Sequence, residues 1–132
     1  LTNKKQLEQK ELVQMVEMIM KIYQLVVLFN LSSNTYTLLK VDEAKRLEKM
    51  PKKGVLEDFI KQASTYVEEQ ELPLYFKTLN KDYLLKKYHE GSESLNFNIR
   101  VKGKYSSQLR KTSILFYKDE NGDECAFHML SK

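Results

Sequence analysis

The sequence has few of the residues that mark special classes of chain: one cysteine, four glycines, two prolines and no tryptophan among 132 residues. A lone cysteine, Cys125, excludes an internal disulfide and a cysteine-rich zinc site, so we expect a cytoplasmic protein. The longest nearly continuous apolar run covers residues 25–31, far short of the roughly 20 residues that cross a bilayer. No signal peptide precedes it, so no membrane partner is expected. Because the sequence begins at Leu1, we expect a segment of a longer protein.

The rest of the composition suits one folded domain. Hydrophobic residues make up 42% of the chain and include eight tyrosines and six phenylalanines, more apolar surface than a disordered chain carries. The formal net charge is +4, and only Arg46, Arg100 and Arg110 are arginines among the 22 basic residues. Lysines dispersed among glutamates are typical of a solvated surface rather than of a phosphate-binding stripe. We therefore expect no nucleic-acid partner.

The first part of the chain carries apolar residues at intervals of three and four, which predicts an amphipathic helix. Residues 1–23 are assigned to this N-terminal helix and residues 24–132 to the domain that follows. The helix stripe contains Leu12, Val16, Ile19 and Tyr23. Its apolar surface is larger than the edge of one small sheet would cover, so we expect these four residues to form the interface of a homodimer.

Helical spacing recurs in the middle of the chain. A short helix is predicted for residues 42–50, where Pro51 ends it because the residue before a proline avoids the helical region. A second clear helix is predicted over residues 55–67, and residues 72–79 are predicted to be irregular or helical. Asn80 can cap a further helix that ends just before Gly91, where glycine allows a left-handed closing conformation.

Beyond Gly91 the apolar spacing changes to two, which predicts strands over residues 95–101, 107–118 and 124–130. Asn121-Gly122 is the strongest hairpin signal, because both central positions of a two-residue turn favour positive φ. An earlier hairpin is predicted from strands at residues 24–30 and 36–41. The predicted fold class is α+β, with a five-stranded antiparallel sheet that is covered by helices on one face.

Three stretches resemble the PAS sensory fold, and more narrowly the PAS-like domains that precede diguanylate cyclase (GGDEF) modules in Gram-positive bacteria. They are QLVVLFNLSSNTY at residues 24–36, LNFNIRV at residues 95–101 and YKDENGDECAF at residues 117–127. The resemblance implies a PAS-like, non-enzymatic sensory domain of a bacterial signalling protein, which binds a small ligand or a partner. It also implies an output module in the same chain, a diguanylate cyclase that makes cyclic-di-GMP.

Six aromatic residues are predicted to point between the sheet and the helices, where they would line a ligand pocket, although core filling is the alternative role. They are Phe59, Phe76, Tyr83, Phe97, Phe116 and Phe127. The ligand and any cofactor are left open. Haem is disfavoured because only His89 imitates the haem-binding histidine of some PAS domains, and we expect His89 to be solvated at a helix end. Flavin photochemistry is disfavoured because Cys125 lacks the Asn-Cys-Arg-like motif of the light-sensing relatives.

The sequence has no motif for catalysis or for metal binding. It lacks a glycine-rich phosphate loop, a nucleophile elbow and a His-Glu metal motif, so no enzyme activity is predicted for this segment. His128 is expected on the exposed face of its strand, because it alternates with the apolar residues Phe127 and Met129. Two alternatives to a sensor stay open: a dimerisation module with a filled core and no ligand, and an α+β nucleic-acid-binding module.

Overall fold

The computed structural model describes residues 2–41, 50–103 and 105–131, with residues 2–9 described by their backbone alone. The elements are α1 (Thr2–Ile22), β1 (Tyr23–Asn30), β2 (Thr35–Val41), β3 (Lys53–Val55), α2 (Leu56–Ser64), α3 (Leu72–Thr78), α4 (Lys81–His89), β4 (Ser94–Lys102), β5 (Ser107–Lys118) and β6 (Glu124–Ser131). A 3-10 turn at Glu69–Glu71 precedes α3. The predicted α+β class is confirmed, whereas the helix predicted over residues 42–50 lies outside the described residues except for its last position.

The six strands of the described residues form one antiparallel sheet in the order β3-β2-β1-β6-β5-β4. The early hairpin joins the three C-terminal strands through β1 and β6. The prediction of five strands is wrong, because β3 pairs with β2 through Gly54 and Tyr36. A strand of three residues is too short to show alternation. Glycine permits this close pairing, since a Cβ at Gly54 would lie 2.9 Å from Cε1 of the Tyr36 ring.

Alternation along the strands divides the sheet into two faces. Val27 and Phe29 of β1 pack in one buried cluster with Phe59 of α2, Tyr75 of α3 and Leu84 of α4. This side is the helix face of the sheet. The residues that alternate with Val27 and Phe29 along β1 form the outer face of the sheet. On this face Val26 is the register partner of Met129, and Leu28 is the register partner of Phe127.

Two of the predicted chain breaks behave as expected. The Asn80 side chain caps α4 by accepting a hydrogen bond from the backbone N–H of Tyr83 at 3.1 Å. Gly91 has φ 94°, the left-handed conformation expected after a helix. Residues 72–79, predicted to be irregular or helical, form α3 over all but the last position.

The turn between β5 and β6 differs from the prediction. Gly122 has φ 81°, but Asn121 does not have the expected positive φ, and the last register pair is Lys118 with Glu124, so the loop is longer than two residues. The N–H of Gly122 donates to the carbonyl of Asp119 at 3.0 Å. The Asp119 carboxylate also accepts from the N–H groups of Asn121 and Asp123, at 2.9 Å each. An aspartate that bonds the backbone in this way stabilises a longer loop.

The segment between α2 and α3 is tied to the free side of β4. Val67 forms an isolated antiparallel bridge with Val101. The N–H of Glu68 donates to the carbonyl of Arg100 at 3.1 Å, and the N–H of Lys102 donates to the carbonyl of Tyr66 at 2.7 Å. These bonds hold the helical layer against the sheet at its β4 edge.

Helix α1 joins the sheet where β6 ends. The helix ends at Ile22, and Tyr23, predicted as its last residue, instead begins β1 opposite Ser131. The Lys40 ammonium of β2 donates to the carbonyls of Met20 and Tyr23, so a cation lies at the helix C-terminus, where it is favourable. None of the helices in the described parts of the chain combines the length and the apolar character needed to span a membrane.

Candidate functional site

A cavity of about 60 Å³ lies between the helix face of the sheet and the helical layer. The helical layer lines it with Ala63, Tyr66, Val67, Tyr75 and Leu79. The Tyr75 hydroxyl donates to the carbonyl of Ile60 at 3.1 Å, and burial raises the pKa of this phenol. Tyr75 is therefore an uncharged and fixed part of the wall.

The sheet supplies the opposite wall of the cavity. Strand β4 contributes Phe97, Ile99 and Val101, while Leu25 of β1 and Leu130 of β6 are register partners at the end of the sheet near α1. The two remaining sheet residues are Thr112 of β5 and His128 of β6. The described wall contains no charged side chain, and most of it is aliphatic or aromatic.

Thr112 and His128 bring unpartnered polar atoms to this apolar wall. Thr112 is 1% exposed and His128 is 4% exposed. Within the described residues, Oγ1 of Thr112 and Nδ1 of His128 have no hydrogen-bond partner. Thr112 pairs with Leu130 and Ile114 pairs with His128, so Thr112 is the diagonal neighbour of His128 on the same face of the sheet. Leaving such a buried polar group unbonded costs about 1–3 kcal/mol.

The prediction that His128 is exposed is wrong. The His128 ring stacks on Phe29, with centroids 5.4 Å apart, and meets Phe59 edge-on at 6.1 Å. Both faces of β6 carry apolar residues, so alternation alone does not identify the core side. Pairing of His128 with Val27 of β1 places it on the helix face. Burial lowers the pKa of His128 to about 4, so the imidazole is neutral at ordinary pH.

Four of the six predicted pocket residues lie on the side of the sheet that the helices cover. Phe97 lines the cavity. Phe59 is fully buried in the core and packs edge-on against Phe29 at 5.6 Å. Phe116 and Tyr83 are partly buried against the same core cluster, outside the cavity wall.

The other two predicted pocket residues, Phe76 and Phe127, do not point between the sheet and the helices. Phe76 of α3 is 43% exposed and meets the ring of Tyr75 edge-on. Phe127 is on the outer face, stacked on Tyr117 with centroids 4.8 Å apart. The expected orientation is wrong for both, because Phe76 follows the inward-facing Tyr75 on its helix and Phe127 adjoins the inward-facing His128 on its strand.

Sequence reasoning missed the polar residues of the cavity and its two tyrosines, Tyr66 and Tyr75. The hairpin between β5 and β6 does not reveal which face of β6 carries His128. Its register places Ile114 opposite His128 and Leu115 opposite Phe127, so each face of β6 lies beside an apolar residue of β5.

The predicted dimer residues of α1 are exposed. Leu12, Val16 and Ile19 are 60%, 44% and 46% exposed, whereas Tyr23 is half-buried in β1. Four further apolar residues of α1 are also exposed: Val13, Met15, Met18 and Ile22. The apolar surface of α1 is thus broader than the predicted stripe.

The other residues considered for chemistry have structural contacts. Nε2 of His89 lies 2.7 Å from the Glu124 carboxylate, which ties the end of α4 to the start of β6. Cys125 is buried, and burial, followed by the nearby Asp119 carboxylate, raises the pKa of its thiol. A protonated buried thiol is a poor nucleophile. No group of three or more His, Cys, Asp or Glu residues in the described ranges is arranged to hold a metal ion.

The fold and the cavity define an α+β domain with a small internal space. No protein-family model matches the sequence, and no curated protein matches it. What the protein does is therefore inferred from the cavity, from α1 and from the resemblance of the three sequence stretches.

Proposed function

We propose that the chain is a non-enzymatic, PAS-like sensory domain, which binds a small molecule in the cavity and controls an output module in the same polypeptide. The observation that carries this proposal is the pair of unpartnered polar atoms, Thr112 Oγ1 and His128 Nδ1, on residues that line one apolar cavity. Native interiors are close-packed and leave few buried polar groups unbonded. A ligand that fills the space and bonds these atoms would remove both costs.

The position of the cavity supports a route from ligand to output. Leu25 and Leu130 contact the cavity, and the next register pair toward the end of the sheet is Tyr23 with Ser131. Tyr23 directly follows α1, and Ser131 is the last residue of β6. A ligand that prefers one spacing of these strands would change the balance between two arrangements of α1 and the end of β6, provided its affinities for them differ.

The resemblance adds the nature of the output. An antiparallel sheet with helices on one face supports the PAS-like assignment. By that resemblance, the output module would be a diguanylate cyclase. We expect the parent gene to encode an Asp-led linker and a GGDEF sequence after residue 132. A parent gene without them would remove the cyclase from the proposal.

The test of ligand binding uses xenon, an apolar probe that enters protein cavities without needing a polar partner. We expect xenon under pressure to shift the methyl NMR signals of Leu25, Val67 and Leu79 in the wild-type protein. Ala63→Leu fills the cavity from α2 and should abolish these shifts. Gln62→Leu, which adds the same side chain at an exposed neighbouring position, should leave them intact. Equal shifts in both variants, or none in the wild type, would contradict the proposal.

A second candidate function, dimerisation, is favoured by α1. Seven of its apolar side chains are between 44% and 66% exposed. Leu12, Val16 and Ile19 are separated by four and three residues, the spacing of a seam that a second copy of the same helix would fill in a coiled coil. We therefore propose a homodimer through α1, with or without a ligand.

Light scattering tests the homodimer. We expect the mass of two chains for the wild type and of one chain for Ile19→Lys, which places a charge in the seam. Gln14→Lys adds the same charge outside the seam and should stay dimeric. A wild-type protein that has the mass of one chain at high concentration would contradict pairing.

A further inference from the structure

We propose that the ligand of the cavity is a small uncharged molecule of about two to four non-hydrogen atoms, with a hydroxyl or amide group and a short apolar part. Short-chain alcohols and amides are the chemical class. This inference rests on the proposed function and specifies its ligand.

The size follows from the cavity volume. The space measures about 60 Å³. An engineered apolar cavity of about 150 Å³ accepts benzene, which has six non-hydrogen atoms. In proportion, the smaller space accepts two to four such atoms, which excludes nucleotides, haem and flavin unless the walls move apart.

The charge follows from the wall. No Asp, Glu, Lys or Arg of the described residues lines the cavity, and His128 is neutral. An ionised ligand would be buried there without a counter-ion, which is strongly unfavourable. A carboxylate such as acetate is therefore expected to bind far more weakly than its uncharged amide.

The hydrogen-bonding group follows from the two unpartnered atoms. The Thr112 hydroxyl can donate or accept, and Nδ1 of a neutral histidine does one or the other according to its tautomer. A hydroxyl or a primary amide offers both a donor and an acceptor, so it suits either tautomer. The aliphatic and aromatic remainder of the wall, including Leu25, Leu79 and Phe97, suits the carbon atoms of the ligand. Water is not in this chemical class, because it has no carbon atoms to contact the apolar part of the wall.

The test is an NMR titration of the wild-type chain with acetamide, 1-propanol, acetate and xenon at pH 7. Ligands of four non-hydrogen atoms have a Kd no lower than tens of micromolar, by the upper limit on binding free energy per non-hydrogen atom that holds for the smallest ligands. We expect acetamide and 1-propanol to shift the methyl signals of Leu25 and Leu79 in a saturable way. Acetate should bind at least about tenfold more weakly.

Thr112→Val tests the polar contact without changing the size of the side chain. We expect it to weaken acetamide binding about fivefold, the loss of one ordinary hydrogen bond, and to leave xenon binding unchanged. Thr37→Val makes the same change on the outer face of β2 and should alter neither. His128→Phe, where it folds, should weaken acetamide binding in the same way.

The outcomes separate this inference from the proposed function. If xenon binds but acetamide and 1-propanol do not, the proposed ligand class is overturned, whereas the proposal that the cavity binds a ligand stands. Equal affinity for acetate and acetamide would overturn the requirement for an uncharged ligand. Unchanged acetamide binding in Thr112→Val would overturn the hydrogen bond between the ligand and Thr112. Ordered water that neither compound displaces would overturn the class as well. If xenon and acetamide both fail to bind, the proposed function falls with it.

Discussion

The imidazole of His128 is stacked on the phenyl ring of Phe29, with 28° between the two ring planes. Phe59 covers the pair edge-on, and burial raises the pKa of the Tyr75 phenol in the cavity wall, so this phenol carries no charge. His128 therefore behaves as an aromatic core residue whose neutral form stabilises the folded domain.

This burial predicts a loss of stability in acid. Unfolded His128 takes up its proton near pH 6.5, but folded His128 takes it up only near pH 4. Between these values the unfolded chain binds more protons, so the free energy of unfolding falls as the pH decreases, by at most about 3 kcal/mol. Urea unfolding at a series of pH values measures the loss. His128→Phe should reduce this loss, whereas His89→Gln should keep it. Parallel pH profiles for all three proteins would contradict the prediction.

Thr112 and Thr78 should respond in opposite ways to the change to valine. Thr78 donates from its hydroxyl to the carbonyl of Leu74 at 2.8 Å, so Thr78→Val should cost about 1 kcal/mol. Thr112→Val removes an unpartnered hydroxyl and should be neutral or stabilising by about 1 kcal/mol in the unliganded protein. Denaturant unfolding compares them. Destabilisation by Thr112→Val equal to that of Thr78→Val would show that its hydroxyl is already bonded.

Gly122 should tolerate alanine less well than its neighbour Asn121 in the last turn. Its φ of 81° disfavours any side chain, although a Cβ there would meet nothing within 4 Å. Gly122→Ala should therefore lower the free energy of unfolding by about 1–2 kcal/mol through backbone strain alone. Asn121→Ala, at an exposed position without a positive φ, should change it by less than about 0.5 kcal/mol. Equal effects would count against strain.

Lys40 should control how firmly α1 is attached. Its ammonium donates to the carbonyls of Met20 and Tyr23, so Lys40→Met leaves the end of α1 without these bonds. Hydrogen exchange of the amides in the last turn of α1 should speed up about tenfold, the effect of losing one charged hydrogen bond locally. Amides of β5 and β6 should not change, and exposed Lys52→Met should have no effect. Unchanged exchange in α1 would show that Lys40 does not hold it.

The regular parts of the fold could be predicted because their patterns are long. The strand predicted over residues 95–101 is observed as β4, since its apolar and polar residues alternate over its whole length. β3 was missed because three residues carry no period. In the last turn the strand ends at residues 118 and 124 were predicted, but the positive φ expected at Asn121 was wrong, because the Asp119 carboxylate, a side-chain contact, holds the loop in another conformation.

The candidate site was harder to predict than the fold. Phe97 could be placed at the cavity because its strand has one polar and one apolar face. His128 could not, since Cys125, Ala126 and Met129 make both faces of β6 buried. Which face turns toward the helices depends on the pairing with β1, a contact far away in sequence. The free volume depends on how rings such as Tyr66 and Tyr75 fit together, and residue spacing does not encode this.

The bridge between Val67 and Val101 also affects how the molecule behaves at high concentration. An edge strand with free N–H and C=O groups is a template on which another chain can add a strand and begin an aggregate. The bonds from Tyr66 and Glu68 occupy those groups of β4 around residues 100–102, and the opposite edge, β3, offers only three residues. Strand addition is therefore blocked at this end of β4, which leaves less of the sheet edge on which polymerisation could begin.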